Sequence, residues 1–160
     1  MQNSGIVYYP YALQESRADL LWRIGRWNDG EQVHIYNLAA ARKSGSLQIV
    51  AESANELGFL LMQRGKFQEA LPLYQESLDL SQKAGLDKQI CNTMCNIGTL
   101  YRNLGDYEKA GQYYNQALER ASSLDDRYSM SIIQGNMGLM FWYLGDHQKA
   151  MECSNLKMKI

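Results

Sequence analysis

An all-α fold of stacked antiparallel helix pairs is what this chain predicts, and two observations predict it. Three glycine-centred blocks recur forty residues apart: Leu57-Gly58 with Gly65, Phe67 and Ala70; Ile97-Gly98 with Gly105, Tyr107 and Ala110; Met137-Gly138 with Gly145, His147 and Ala150. Within each period two amphipathic stretches flank a glycine, the pattern of helix A, tight turn, helix B. A unit of this size buries its apolar faces only against its neighbours, so the repeats imply a solenoid of about eight helices with a long inner surface.

The period divides the chain into an N-terminal extension, residues 1–10, and one domain, residues 11–160, of four units. The first, 11–50, is diverged: Gly25, Trp27 and Leu38 are in register, but Ala18 replaces the first glycine and Gly30 the alanine. Units 51–90 and 91–130 are the most regular. In the latter, helix A spans about Gln89 to Leu104, Gly105 closes it in the left-handed conformation, and Asp106 caps the next helix. Leu144-Gly145-Asp146 repeats the device in the last unit, 131–160, which stops short of a full period. Gly65 and Gly25 are followed by Lys66 and Arg26, which leaves weaker caps. Glycine in mid-helix costs about 1 kcal/mol against alanine, so Gly58 and Gly98 predict that helix B comes too close there for a side chain. Ala70, Ala110 and Ala150 are the matching contacts, and Tyr101, Phe141, Phe67, Tyr107, Tyr74 and Tyr114 are the bulky residues between them.

These residues resemble the tetratricopeptide repeat (TPR) family. Its pattern of a bulky residue, Leu-Gly, Tyr, Ala and an aromatic four residues later is matched by Ile97, Gly98, Tyr101, Ala110 and Tyr114. The second unit matches it with Leu57, Gly58, Ala70 and Tyr74, and the fourth with Met137, Gly138, Phe141 and Ala150. The resemblance implies a right-handed superhelical solenoid. The usual repeat has about thirty-four residues and a proline near its end, whereas here the period is forty and Arg42, Gln82 and Ser122 occupy that region. The longer period is similar to that of Pins-type spindle-orientation scaffolds, kinesin light chains and bacterial Rap-type regulators, and Pro72 early in helix B resembles the kinesin light chain type.

The resemblance also implies which helix A positions face the groove. In the third unit they are Asn92, Asn96, Thr99 and Asn103, and Asn136 extends the row while Ser16 and Glu56 break it. A carboxamide both accepts and donates, so such a row matches the backbone of an extended peptide; a solvated polar face is the alternative reading of the same pattern. Arg23 and Arg102 are placed to pair with acidic groups, although an isolated surface arginine is ordinarily solvated. Among large apolar groove residues Trp22, Phe59, Met62, Trp142 and Tyr143, the pattern favours inter-repeat packing for Phe59 and Met62 and ligand contact for Trp142 and Tyr143. The family's cationic carboxylate clamp is not recognisable, since Glu15, Asn55 and Asn92 stand at its lysine positions. The groove set is therefore Arg23, Asn55, Asn92, Asn96, Arg102, Asn103, Asn136, Trp142 and Tyr143.

Composition narrows the function. Sixteen basic residues against seventeen acidic ones lack the cationic balance a phosphate backbone demands, so nucleic acid is not an expected partner. There is no run of eighteen apolar residues and Met1 to Tyr11 lacks the features of a signal peptide, which predicts a cytoplasmic protein without membrane contact. Cys91 and Cys95 lie one helical turn apart, and with Cys153 they make an odd number, so reduced structural thiols are expected and no metal site. His34 and His147 fall where other units carry aromatics, Asp125-Asp126 reads as a helix cap, and no catalytic or cofactor motif is present. The chain thus reads as a non-enzymatic scaffold that binds a peptide or protein segment in its groove, as part of a larger regulatory protein. The alternative is self-association: Met151, Leu156 and Ile160 form an apolar end, softened by Lys157 and Lys159, that pairs two copies through the C-terminal helix.

Overall fold

The forty-residue period of the sequence reappears as the spacing of helices. The computed structural model describes residues 27–157 and contains seven helices among them: α1 Trp27–Ser44, α2 Leu47–Gln63, α3 Phe67–Ala84, α4 Asp87–Asn103, α5 Tyr107–Ser123, α6 Arg127–Tyr143 and α7 His147–Lys157. Helices α2, α4 and α6 are the A helices, and α1, α3, α5 and α7 are the B helices. The A helices begin at Leu47, Asp87 and Arg127, four residues ahead of the unit starts read from the sequence. The extension 1–10, with Ala18, Trp22, Arg23 and Gly25, lies outside the described residues.

Every connection contains a residue with positive φ, and these residues stand twenty apart: Gly45, Gly65, Gly85, Gly105, Asp125 and Gly145. After four of the turns a side chain accepts from a backbone N–H in the first turn of the next helix: Ser46 from Ile49, Asp106 from Lys109, Asp126 from Ser129 and Asp146 from Lys149. Lys66 makes no such bond, as its residue type predicts. In the two later units Lys109 and Lys149 also pair with Asp106 and Asp146 and lie 5.1 and 5.5 Å from the Tyr101 and Phe141 ring centroids. One short motif therefore joins the cap, the turn and the aromatic of helix A.

Within a pair, helix B lays an aromatic ring over the glycine of helix A. A Cβ on Gly98 would stand 2.8 Å from the Tyr114 ring and 3.2 Å from the Ala110 carbonyl oxygen, and one on Gly58 would stand 3.0 Å from the Tyr74 ring. Both rings are fully buried. In the last pair Ser154 takes the tyrosine's place, and the nearest atom to a Cβ on Gly138 is Cβ of Cys153 at 3.3 Å. The apolar core forms two clusters, one from Leu38 and Ala41 through Leu57, Leu61, Ile97 and Leu100 and the other from Ile90 and Cys91 to Ile133 and Met140, with Leu78, Tyr101 and Tyr113 packed against both.

Candidate binding groove

The curvature of the stack follows from which helices touch. Successive A helices pack directly on one another, α2 on α4 and α4 on α6, whereas the backbones of successive B helices stay apart among the described residues. Arg42 of α1 and Glu76 of α3 bridge that outer gap with a 2.7 Å ion pair. The A helices consequently form the inner, concave wall and the B helices the outer one.

Two clefts open along the A-helix wall. One, of about 420 Å³, lies between the N-terminal halves of α2 and α4 and is lined by Gln48, Glu52, Leu86, Asp87, Lys88, Gln89 and Asn92. The other, of about 310 Å³, is lined by Arg102, Asn103, Tyr107 and Tyr143. Asn55 and Asn96 lie on the same two helices, with the Asn96 amide donating to Oδ1 of Asn55 at 3.1 Å.

The structure gathers much of the predicted groove set and reassigns the rest. Asn92 lines the first cleft, and Arg102, Asn103 and Tyr143 line the second. Asn136 departs from the expectation. It is buried, and its amide donates to Sγ of Cys95 at 3.3 Å, in the register by which Asn96 meets Asn55 one unit earlier. Packing of α6 on α4 consumes this side chain, so it is a tie between repeats. Thr99 is likewise buried, bonded to the Cys95 carbonyl and to the Tyr114 hydroxyl at 3.0 Å each. Arg102 is not the solvated surface arginine its isolation in the sequence suggests, being only 8% exposed. Trp142 is 59% exposed and its ring centroid sits 4.6 Å from that of His147, outside either cleft lining. Met62 is buried, with the Tyr74 hydroxyl 3.8 Å from its sulfur, and Phe59 is half-buried against the core, so both pack as expected. Arg23 lies outside the described residues.

Sequence reasoning missed Tyr107, which it assigned to packing alone, and the wall of the first cleft at Gln48, Glu52, Lys88 and Gln89. Gln48, Glu52 and Asn55 follow one another at intervals of four and three residues on α2, so extending the polar stripe by one turn toward the N-terminus finds that wall.

Reactive chemistry is poorly provided for. Burial pushes the Cys91 and Cys95 thiols up to about 11, so both stay protonated at neutral pH and are weak nucleophiles. His34 is buried with Nδ1 3.7 Å from a Glu56 carboxylate oxygen. No cluster of metal-ligating side chains occurs among the described residues, and none of their helices is long and apolar enough to cross a membrane.

The tetratricopeptide repeat model matches residues 49–102 and 89–155, well over half of the chain. The chain belongs to the tetratricopeptide repeat family. Its TPR units mark it as a protein–protein interaction scaffold of a generally non-catalytic fold. No curated protein matches it significantly. Among solved structures it is similar to BtubC (BKLC) from P. vanneervenii, with a TM-score of 0.77 and 21% identity over 89% of this chain. The match spans 59% of that protein's length, and identity at this level speaks for the shared TPR fold alone.

Proposed function

We propose that the inner wall formed by α2, α4 and α6 binds an extended peptide or protein segment, within a larger cytoplasmic regulatory protein. The observation that carries this reading is the pair of clefts along the A-helix wall, lined by Asn92 and by Arg102 and Asn103, with the Asn55–Asn96 pair on the same wall. An extended backbone presents alternating donors and acceptors, and the amides of Asn92, Asn96 and Asn103 match both kinds. The single bond from Asn96 to Asn55 uses one of its two N–H donors. Replacing Asn92 or Asn103 with alanine should weaken a groove ligand by about 1–2 kcal/mol in isothermal titration. Unchanged affinity in both variants would return these amides to a solvated face.

A second reading, self-association through the last pair, is favoured by a specific surface. Trp142, Leu144 and Met151 are each more than half exposed, whereas Arg102 and Met62, which match Trp142 one and two units back, are buried. Leu156 and Ile160, named with Met151 from the sequence, have side chains outside the described residues. Light scattering over a concentration series should then show a dimer that dissociates in a Trp142→Glu, Met151→Glu variant; a monomer throughout would remove this reading.

A further inference from the structure

Five arginines lie among the described residues, and four of them face a carboxylate: Arg42 with Glu76, Arg64 with Glu31, Arg120 with Asp87 and Arg127 with Asp125. Arg102 is the exception and is also the buried one. Its Nη2 donates to Oδ1 of Asn103 at 3.2 Å, while Nε and Nη1 have no partner among the described residues. A guanidinium stays charged at any pH at which the protein folds, so it cannot escape this situation by losing a proton.

The repeat itself shows that packing does not require the charge. Forty residues earlier, at the equivalent point of α2, stands Met62, 3% exposed and part of the apolar core. The stem of Arg102 occupies a methionine's place and carries a cation there for which no described residue supplies a counter-ion. The cleft beside it is walled by Asn103, Tyr107 and Tyr143, none of them acidic, and its volume of about 310 Å³ accommodates a side chain.

We propose that this cleft is a recognition site for one carboxylate, the Asp or Glu side chain of an acidic protein segment lying in the groove. The proposal rests on the groove-binding reading and adds the chemistry of one position in the ligand. A carboxylate at the mouth of the cleft meets the Nη2 edge first. Rotation of the flexible arginine stem then turns a second N–H toward it, giving the paired geometry that arginine forms with carboxylates. Asn103 and the two tyrosine hydroxyls supply neutral donors for the remaining lone pairs. A single cation in the wall matches a monoanion, and a phosphate near its dianionic form would be left with half its charge unmatched. The site is distinct from the family's cationic clamp, whose lysine positions here hold Asn55 and Asn92.

The test uses the purified chain and a display library of random ten-residue peptides with blocked termini. Selected groove ligands should share an Asp or Glu at one register. Changing it to Asn or Gln should lower affinity at least about tenfold for the wild type, and less than about twofold for Arg102→Met, because the charge-assisted pair is then already absent. Arg102→Gln serves as a second variant should the methionine protein fold poorly, and the peptide substitutions on the wild type need no variant at all. Ligands that compete for the groove yet share no acidic position, or that lose equal affinity in both proteins, overturn the carboxylate site and leave groove binding standing. Phosphoserine at that register binding more tightly than Glu overturns the match to a monoanion. Selected peptides indifferent to Asn92→Ala and Asn103→Ala overturn the groove reading and this site with it.

Discussion

At Gly98 the absence of one methyl group lets the Tyr114 ring and the Ala110 carbonyl approach helix α4, and the three equivalent glycines differ in how much they depend on it. Gly98→Ala should destabilise the chain by about 1–3 kcal/mol, because the clash at 2.8 Å involves a buried ring with nowhere to move. Gly58→Ala, at 3.0 Å, should cost less. At Gly138 the nearest atoms are 3.3 and 3.4 Å away, so the strain is offset by the gain of about 1 kcal/mol in helix propensity and the variant should be near neutral. Denaturant titration of the three variants checks the order. Arg102→Met gives a second expectation at this scale. Removing a buried, unmatched charge from a site that already accommodates methionine in the preceding unit should raise stability by about 1–3 kcal/mol, and a loss would show that the fold itself satisfies the guanidinium. The glycine contacts were legible in the sequence because a costly residue recurred in mid-helix. The state of Arg102 was not, since burial by a neighbouring repeat leaves no local mark.

The connections between helices carry a twenty-residue half-period that the forty-residue pattern partly hides. Gly25, Gly65, Gly105 and Gly145 stand out beside the repeated blocks, but Gly45 and Gly85 play the same role between units, and at 125 the glycine is replaced by aspartate. An L-residue at φ of 50° is strained, so Asp125→Gly should gain about 0.5–1 kcal/mol, while Gly85→Ala, at φ of 66°, should lose about 1 kcal/mol. Thermal melts of the two variants should move in opposite directions. The caps make these ends pH-sensitive. Hydrogen bonds from Lys149 to Asp146, and from the Lys109 backbone and side chain to Asp106, hold both carboxyls below their ordinary range. A depressed folded-state pKa contributes stability above the unfolded value and loses it as pH falls through the folded one, so acidification below about pH 4 should fray the starts of α5 and α7. Hydrogen exchange at the Lys109 and Lys149 amides reads this directly.

Across the whole molecule, adjacent repeats are tied by side chains forty-one residues apart. Asn96 reaches Asn55, and Asn136 reaches Cys95, one unit on and in the same register. These ties qualify the groove test at Asn96 itself, because Asn96→Ala removes a bond between α2 and α4 as well as a groove amide. It should therefore lower stability by about 0.5–1.5 kcal/mol, with a double cycle against Asn55→Ala showing that the two losses are not additive. Additive losses would separate the two side chains in solution. Such coupling between neighbours is what makes a solenoid fold as one unit when each pair alone buries too little surface.

The helix pairs, their turns, their caps and the family were determined by the sequence alone, because each depends on residues within one forty-residue period and the period repeats the evidence. Which polar side chains remain for a partner was decided only by tertiary structure. Asn92, Asn96, Arg102 and Asn136 look alike as polar residues on A helices, yet stacking of the next repeat leaves Asn92 on a cleft, ties Asn96 to Asn55, buries Asn136 against Cys95 and encloses Arg102 with no counter-ion among the described residues. The physical reason is that helical periodicity specifies the face a side chain is on, while its hydrogen bonds and exposure depend on what the neighbouring repeat places opposite it.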